Sequence, residues 1–209
     1  MTAFRRPRLA MALAAAAVAC LALPALLLRR RLIRMEVAGE SMTSALLPGD
    51  FLLLRRGPPP AGSAFGQIVA TRDPRPEGDG RLLLKRIVGL PGEALRVGGG
   101  VQVNGRRLLE PYAHGDDPIA PHQGVQHRGV QGLAADAYFL LGDHRAASTD
   151  SRDFGPVART RLEGTAVLRY WPPRRIGRLR PPARRFLGPP AAPADAQRPD
   201  AGQTDAGSP

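Results

Sequence analysis

Cysteine occurs once in the 209 residues, at Cys20, so no disulfide can form within the chain and stability must come from a packed core. The 43% of hydrophobic residues is enough to build one. Aromatic residues make up only 5%, too few to offer bases a stacking surface. The net charge of +12 is spread along the chain rather than gathered in a patch, and together these features argue against nucleic acid as a partner. Histidine occurs four times, as His114, His122, His127 and His144. The first three lie in a polar, Gly/Pro-rich insert with no acid and serine paired to them, so no Ser–His–acid arrangement is visible. Lysine is the scarcest charged residue. Of 30 basic residues only Lys85 is lysine and 29 are arginine. Arginine keeps its proton in proteins, whereas a desolvated lysine can lose it. One position that needs a neutral amine would explain this usage, and so would the chance survival of one codon.

What is present begins with a long apolar run. Leu9 to Leu28 carries no charge over twenty residues, and a helix of that length spans about 30 Å, the thickness of a bilayer core. Three arginines precede it (Arg5, Arg6, Arg8) and four follow (Arg29, Arg30, Arg31, Arg34). The length and the arginine stop fit a retained membrane anchor better than a removable signal peptide. Cys20 reads as a small apolar residue facing lipid. The flanking charges are too even to set the orientation.

From Met35 to about Pro172 the chain reads as short strands between Gly and Pro. Phe51–Leu54, Gln67–Ala70, Leu82–Leu84 and Tyr138–Leu141 are apolar runs of strand length. Asn104-Gly105 marks a hairpin turn, and Thr165–Trp171 looks like a closing strand. No long helical period occurs here. The fold class expected is mainly β: an N-terminal transmembrane helix followed by a predominantly antiparallel β domain. Three regions follow: residues 1–34 as cytoplasmic stub and anchor, 35–180 as the β-rich domain, and 181–209 as an unfolded Pro/Ala-rich tail. Residues 72–80 read as an unstructured polar loop.

Three segments carry chemistry: Gly39-Glu40-Ser41-Met42, running on to Gly49-Asp50; Leu84-Lys85-Arg86-Ile87-Val88-Gly89-Leu90-Pro91-Gly92; and Gly142-Asp143-His144-Arg145, running on to Ser148-Thr149-Asp150-Ser151-Arg152. A serine hydroxyl needs a base before it becomes a nucleophile. Lysine can serve only when neutral, and at a pKa near 10.4 about one amine in 2,500 is neutral at pH 7. Burial can lower that pKa by several units, and the leucines before Lys85 with Ile87 and Val88 after it make an apolar setting. Alternation along a strand places Leu83, Lys85 and Ile87 on one face and Arg86 on the other. A lone lysine on a strand is ordinarily a surface cation, so the case rests on the three segments together.

In this order behind an N-terminal anchor, these segments resemble the conserved boxes of type I (Sec) signal peptidases, which are serine/lysine-dyad peptidases. The resemblance implies an enzyme that removes N-terminal signal peptides from exported preproteins, with Ser41 as nucleophile and Lys85 as general base. It implies that Ser148 hydrogen-bonds and orients the lysine amine, and that Asp150 with Arg152, and Asp143 with Arg145, form charged pairs shaping the site. Met42 would line the substrate groove, and the backbone N–H of Ser41 would hold the oxyanion. The partners implied are signal peptides and the lipid bilayer, with no nucleic acid. The location implied is the cytoplasmic (inner) membrane, single-pass, with the catalytic domain on the extracytoplasmic side; no metal or organic cofactor is implied.

The sequence departs from the family pattern at Gly39, where some members have a serine that helps the oxyanion hole. Ser44 replaces a common proline, expected to loosen the turn beside the nucleophile. His144 stands where asparagine is usual, and Gln67 where aspartate is common. Alternative readings are a peptidase of a conjugation or pilus system, a Ser–Lys self-cleaving DNA-binding repressor, and a catalytically dead membrane protein. The repressor would need a soluble helix-turn-helix domain where this chain has its apolar run.

Overall fold

The computed structural model describes residues 20, 30–115 and 131–188. The expected anchor (apart from Cys20), His122, His127 and residues 189–209 lie outside the described residues. Among the described residues no helix is long and apolar enough to cross a membrane.

The described residues form thirteen strands: β1 (Leu32–Glu36), β2 (Phe51–Arg56), β3 (Ile68–Arg72), β4 (Leu82–Gly89), β5 (Ala94–Val97), β6 (Val101–Val103), β7 (Arg106–Leu108), β8 (Gln131–Gly132), β9 (Ala137–Leu141), β10 (Val157–Ala158), β11 (Leu162–Trp171), β12 (Gly177–Arg178) and β13 (Phe186–Leu187). All named pairings are antiparallel. One sheet runs β1-β2-β11-β3-β4-β9-β10, with β12 on β11; the second runs β13-β7-β6-β5-β8. Each apolar run read as a strand is one, and Asn104 and Gly105 take the positive φ values (49° and 76°) of the turn between β6 and β7.

β9 shows why the core divides. All five of its residues are buried, with Phe139 and Leu141 packing against Val88, Leu95 and Val103, while Tyr138 and Leu140 pack against Val69, Ile87 and Leu162. A strand buried on both faces has no polar alternation to show. A further cluster of Val37, Met42, Leu46, Leu52, Leu54, Ile68 and Leu84 lies beneath the Ser41 segment.

Three expectations need correcting. The segment from Thr165 does not close the sheet: β11 lies inside it, between β2 and β3. The 72–80 loop is ordered around buried Asp73, which accepts two hydrogen bonds from the Arg75 side chain and one from Arg81. Residues 181–188 do not belong to an unfolded tail. Arg184 makes a two-pronged ion pair with Glu93 (2.6 and 2.8 Å) and stacks on Phe65 and Phe186, while β13 pairs with β7. Two charge-assisted bonds and two cation–π contacts hold a segment with few apolar residues. Replacing Arg184 with Ala should lower stability by about 1 kcal/mol, read as a shift of the urea midpoint at constant slope.

Candidate active site

Ser41 sits on a compact turn after β1. Thr43 N–H donates to the Glu40 carbonyl, and the N–H groups of Ala45 and Leu46 donate to Met42. The Asp50 carboxylate, buried, receives Leu47 N–H and the guanidinium groups of Arg169 and Arg175, tying the far end of the turn to β11. The turn is not loosened at Ser44. That residue has φ of 128°, which proline cannot adopt, and its hydroxyl donates to the Tyr112 carbonyl at 2.8 Å. Here the loop at residues 110–115 takes over what a proline would do elsewhere.

Lys85 lies in the middle of β4 with 3% of its surface exposed, and its Nζ is 2.7 Å from Ser41 Oγ. As an ammonium it donates to that oxygen; as a neutral amine it can accept the hydroxyl proton across the same distance. Burial lowers its pKa to about 8, against the opposing pull of the Asp150 carboxylate and with help from the Arg81 and Arg152 charges. About one amine in ten is then neutral at pH 7, some two hundred times more than for a free lysine. The surface-cation alternative is excluded by the burial.

Asp150 and Arg152 form the expected pair, with Arg152 donating from Nε (2.9 Å) and Nη2 (2.9 Å). Burial pushes the Asp150 carboxyl up, but the Arg152 bonds and charge and the Gly142 and Ser148 hydrogen bonds hold it below the usual range. Asp150 also caps the single helical turn Ser151–Phe154. Ser148 does not bond Lys85 here: its hydroxyl donates to Asp150 Oδ2 at 2.7 Å. Its one proton goes to the buried carboxylate, a stronger acceptor than an amine nitrogen.

Asp143 and Arg145 do not pair with each other. Asp143 takes a two-pronged pair from Arg86 (2.7 and 2.6 Å), and Arg145 takes Glu110 (3.2 and 2.5 Å). Arg86 also donates to the Gly66 carbonyl and stacks over Tyr112 at 4.4 Å. Arg86, Glu110 and Tyr112 join the site beyond the residues that the motifs single out. Arg86 adjoins the lysine, but nothing in the sequence links Glu110 to a partner 35 residues away. His144 contributes through its backbone, its N–H donating to the Ser41 carbonyl at 3.0 Å, while its ring stacks on His114 at 4.6 Å.

An open groove of about 420 Å³ ends at the pair; residues 35–42 form one wall, residues 81–85 the other, and Ala147 and Thr149 close it. Met42 lines the groove yet is 1% exposed and belongs to the core cluster. A Cβ on Gly39 would meet nothing within 4 Å. Among the described residues no group of three or more His, Cys, Asp or Glu could hold a metal ion.

A buried amine touching a serine hydroxyl at the end of a peptide-sized groove defines the class, a serine peptidase. The family model for signal peptidase, peptidase S26, matches residues 8–171, and the chain belongs to that family. Signal peptidase I of Leptolyngbya laminosa is 34% identical over 70% of this chain and 72% of its own. A mitochondrial ATP-independent inner membrane protease subunit 1a from Arabidopsis thaliana is 35% identical over 69% of this chain and 74% of its own. A crystal structure of a signal peptidase I from Enterococcus faecalis is 28% identical, covering 48% of this chain and 93% of that one, with a TM-score of 0.38.

Gly142 is where the first and third motif segments pack against each other. A Cβ there would lie 2.2 Å from Ser148 Oγ and 2.7 Å from the Ser41 carbonyl. Gly142→Ala should therefore displace the nucleophile and cut kcat by about a hundredfold in a peptide-cleavage assay.

Proposed function

We propose that the chain is a membrane-bound endopeptidase that removes N-terminal signal peptides from exported preproteins, with Ser41 as nucleophile and Lys85 as general base. The observation that carries this reading is the 2.7 Å contact between a buried Lys85 amine and the Ser41 hydroxyl, in a member of the signal peptidase family. Neutral Lys85 takes the Ser41 proton as Oγ attacks the scissile carbonyl. The Ser41 backbone N–H faces the developing oxyanion; no serine hydroxyl at residue 39 adds to it. The lysine ammonium then protonates the leaving amine, and a water activated by the same lysine hydrolyses the acyl-enzyme.

Ser148 and Asp150 act as positioning residues. With Arg152 they fix the wall next to the lysine, and Asp150 supplies the nearby negative charge. The apolar groove beside β4 suits small side chains at the first and third positions before the cut, the pattern cleaved by the family this chain resembles. The apolar run from Leu9 to Leu28 would anchor the chain in the cytoplasmic membrane by a single span. The domain then lies on the extracytoplasmic side, where exported precursors emerge.

The test is cleavage of a preprotein by the full chain in detergent. Ser41→Ala and Lys85→Arg should each lower kcat by roughly a thousandfold or more. A guanidinium cannot act as a base at pH 7, so undiminished cleavage by Lys85→Arg would refute the mechanism. In the parent enzyme kcat/KM should rise about tenfold per pH unit up to about 8 and level off above, because only the unprotonated amine is active.

A further inference from the structure

The groove has a charged feature whose part in the dyad chemistry is limited to helping lower the Lys85 pKa. Between Lys85 and Arg81 its β4 wall is formed by Leu82, Leu83 and Leu84; among the described lining residues Arg81 and Lys85 are the two cations. The Arg81 side chain is 60% exposed. It is nevertheless held at both ends. Its backbone N–H donates to Gly78 and its carbonyl accepts from Asp73, while Nε donates to the Asp73 carboxylate at 3.3 Å. That carboxylate is fully buried and already gripped by two bonds from Arg75, so it is a fixed anchor. Gly78 permits the arrangement, since a Cβ there would sit 2.3 Å from the Asp73 carboxyl carbon. The two Nη nitrogens of Arg81 have no hydrogen-bond partner among the described residues. A guanidinium fork held by Nε alone, with its end open to a groove, is suited to two-pronged capture of a carboxylate.

We propose that Arg81 is a specificity residue whose guanidinium receives an acidic side chain carried four residues before the scissile bond. This inference rests on the peptidase reading above. The register follows from strand geometry. Arg81 precedes Lys85 by four residues, about 13 Å of extended chain at 3.3 Å per residue. An extended substrate lying along β4 with its scissile bond level with the Leu84–Lys85 peptide, so that the residue after the cut lies beside Lys85, brings the fourth residue before the cut level with Arg81. Leu83, on the strand face shared by Arg81 and Lys85, lines the groove where the residues before the cut lie, so that fourth residue is on the amino-terminal side. A basic residue at the same place meets like charge. Glu36 and Glu40 also line the groove, so capture of an acidic side chain at Arg81 must outweigh their repulsion.

The experiment uses the full chain in detergent and peptides with small residues at the first and third positions, carrying Asp, Gln or Lys at the fourth. The quantity read is the ratio of kcat/KM for the Asp peptide to that for the Lys peptide. It should be about fivefold in the parent enzyme, near one in Arg81→Gln and inverted in Arg81→Glu, shrinking as salt is raised. A general loss of structure lowers both rates and leaves the ratio alone. If Arg81→Glu proves too inactive to assay, Arg81→Gln still reports. The same ratio in the parent and the variants would overturn the proposal, as would a charge preference confined to residues after the cut. Failure of the parent enzyme to cleave the Gln peptide would instead refute the peptidase reading itself.

Discussion

Lys85 is useful only if it is kept from water, and the way β4 is packed explains how. The strand is hydrogen-bonded on both edges, to β3 and β9, and is buried from Leu84 to Gly89. Lowering a lysine pKa from 10.5 to about 8 corresponds to roughly 3 kcal/mol of disfavoured protonation, borne by the folded state at neutral pH. Burying one leucine contributes about 1.5–3 kcal/mol. The site therefore costs about what one or two core side chains supply, and three apolar clusters cover it. The same packing that stabilises the fold makes the amine reactive.

Around that amine, arginine–carboxylate pairs do the joining. Arg86–Asp143 connects β4 to the end of β9, Arg145–Glu110 connects the segment after β9 to the loop at residues 110–115, and Arg169 and Arg175 grip Asp50 behind the nucleophile. Each is wholly or largely buried, and removing one partner of a fully buried pair leaves an uncompensated charge at a cost of about 3–5 kcal/mol. A chain with 29 arginines and one lysine divides its cations accordingly. The residues that must stay charged and fork to two oxygens are arginine, and the one that must shed its proton is lysine.

Much of this was legible in the sequence because local rules decide it. Strand-length apolar runs became strands, Asn104-Gly105 became a turn, and the lysine's apolar neighbours foretold its burial. What was not legible depends on contacts distant in sequence. Asp143 and Arg145 lie two residues apart and invite pairing, yet each finds a partner from another segment. Ser148 gives its proton to Asp150 because the Ser151–Phe154 turn sets that carboxylate beside it. Residues 181–188 have a composition that predicts no fold; the two-pronged bond from Arg184 to Glu93, its stacking on Phe65 and Phe186, and a short strand pairing hold them.

Because Lys85 is the only lysine, its side chain can be observed without interference. Titration of the full chain labelled with 13Cε-lysine would give one resonance from this residue, followed by NMR as the pH is raised. A midpoint near 8 is the result predicted by a buried amine poised against Ser41. A midpoint near 10.4, that of a lysine in water, would contradict the account.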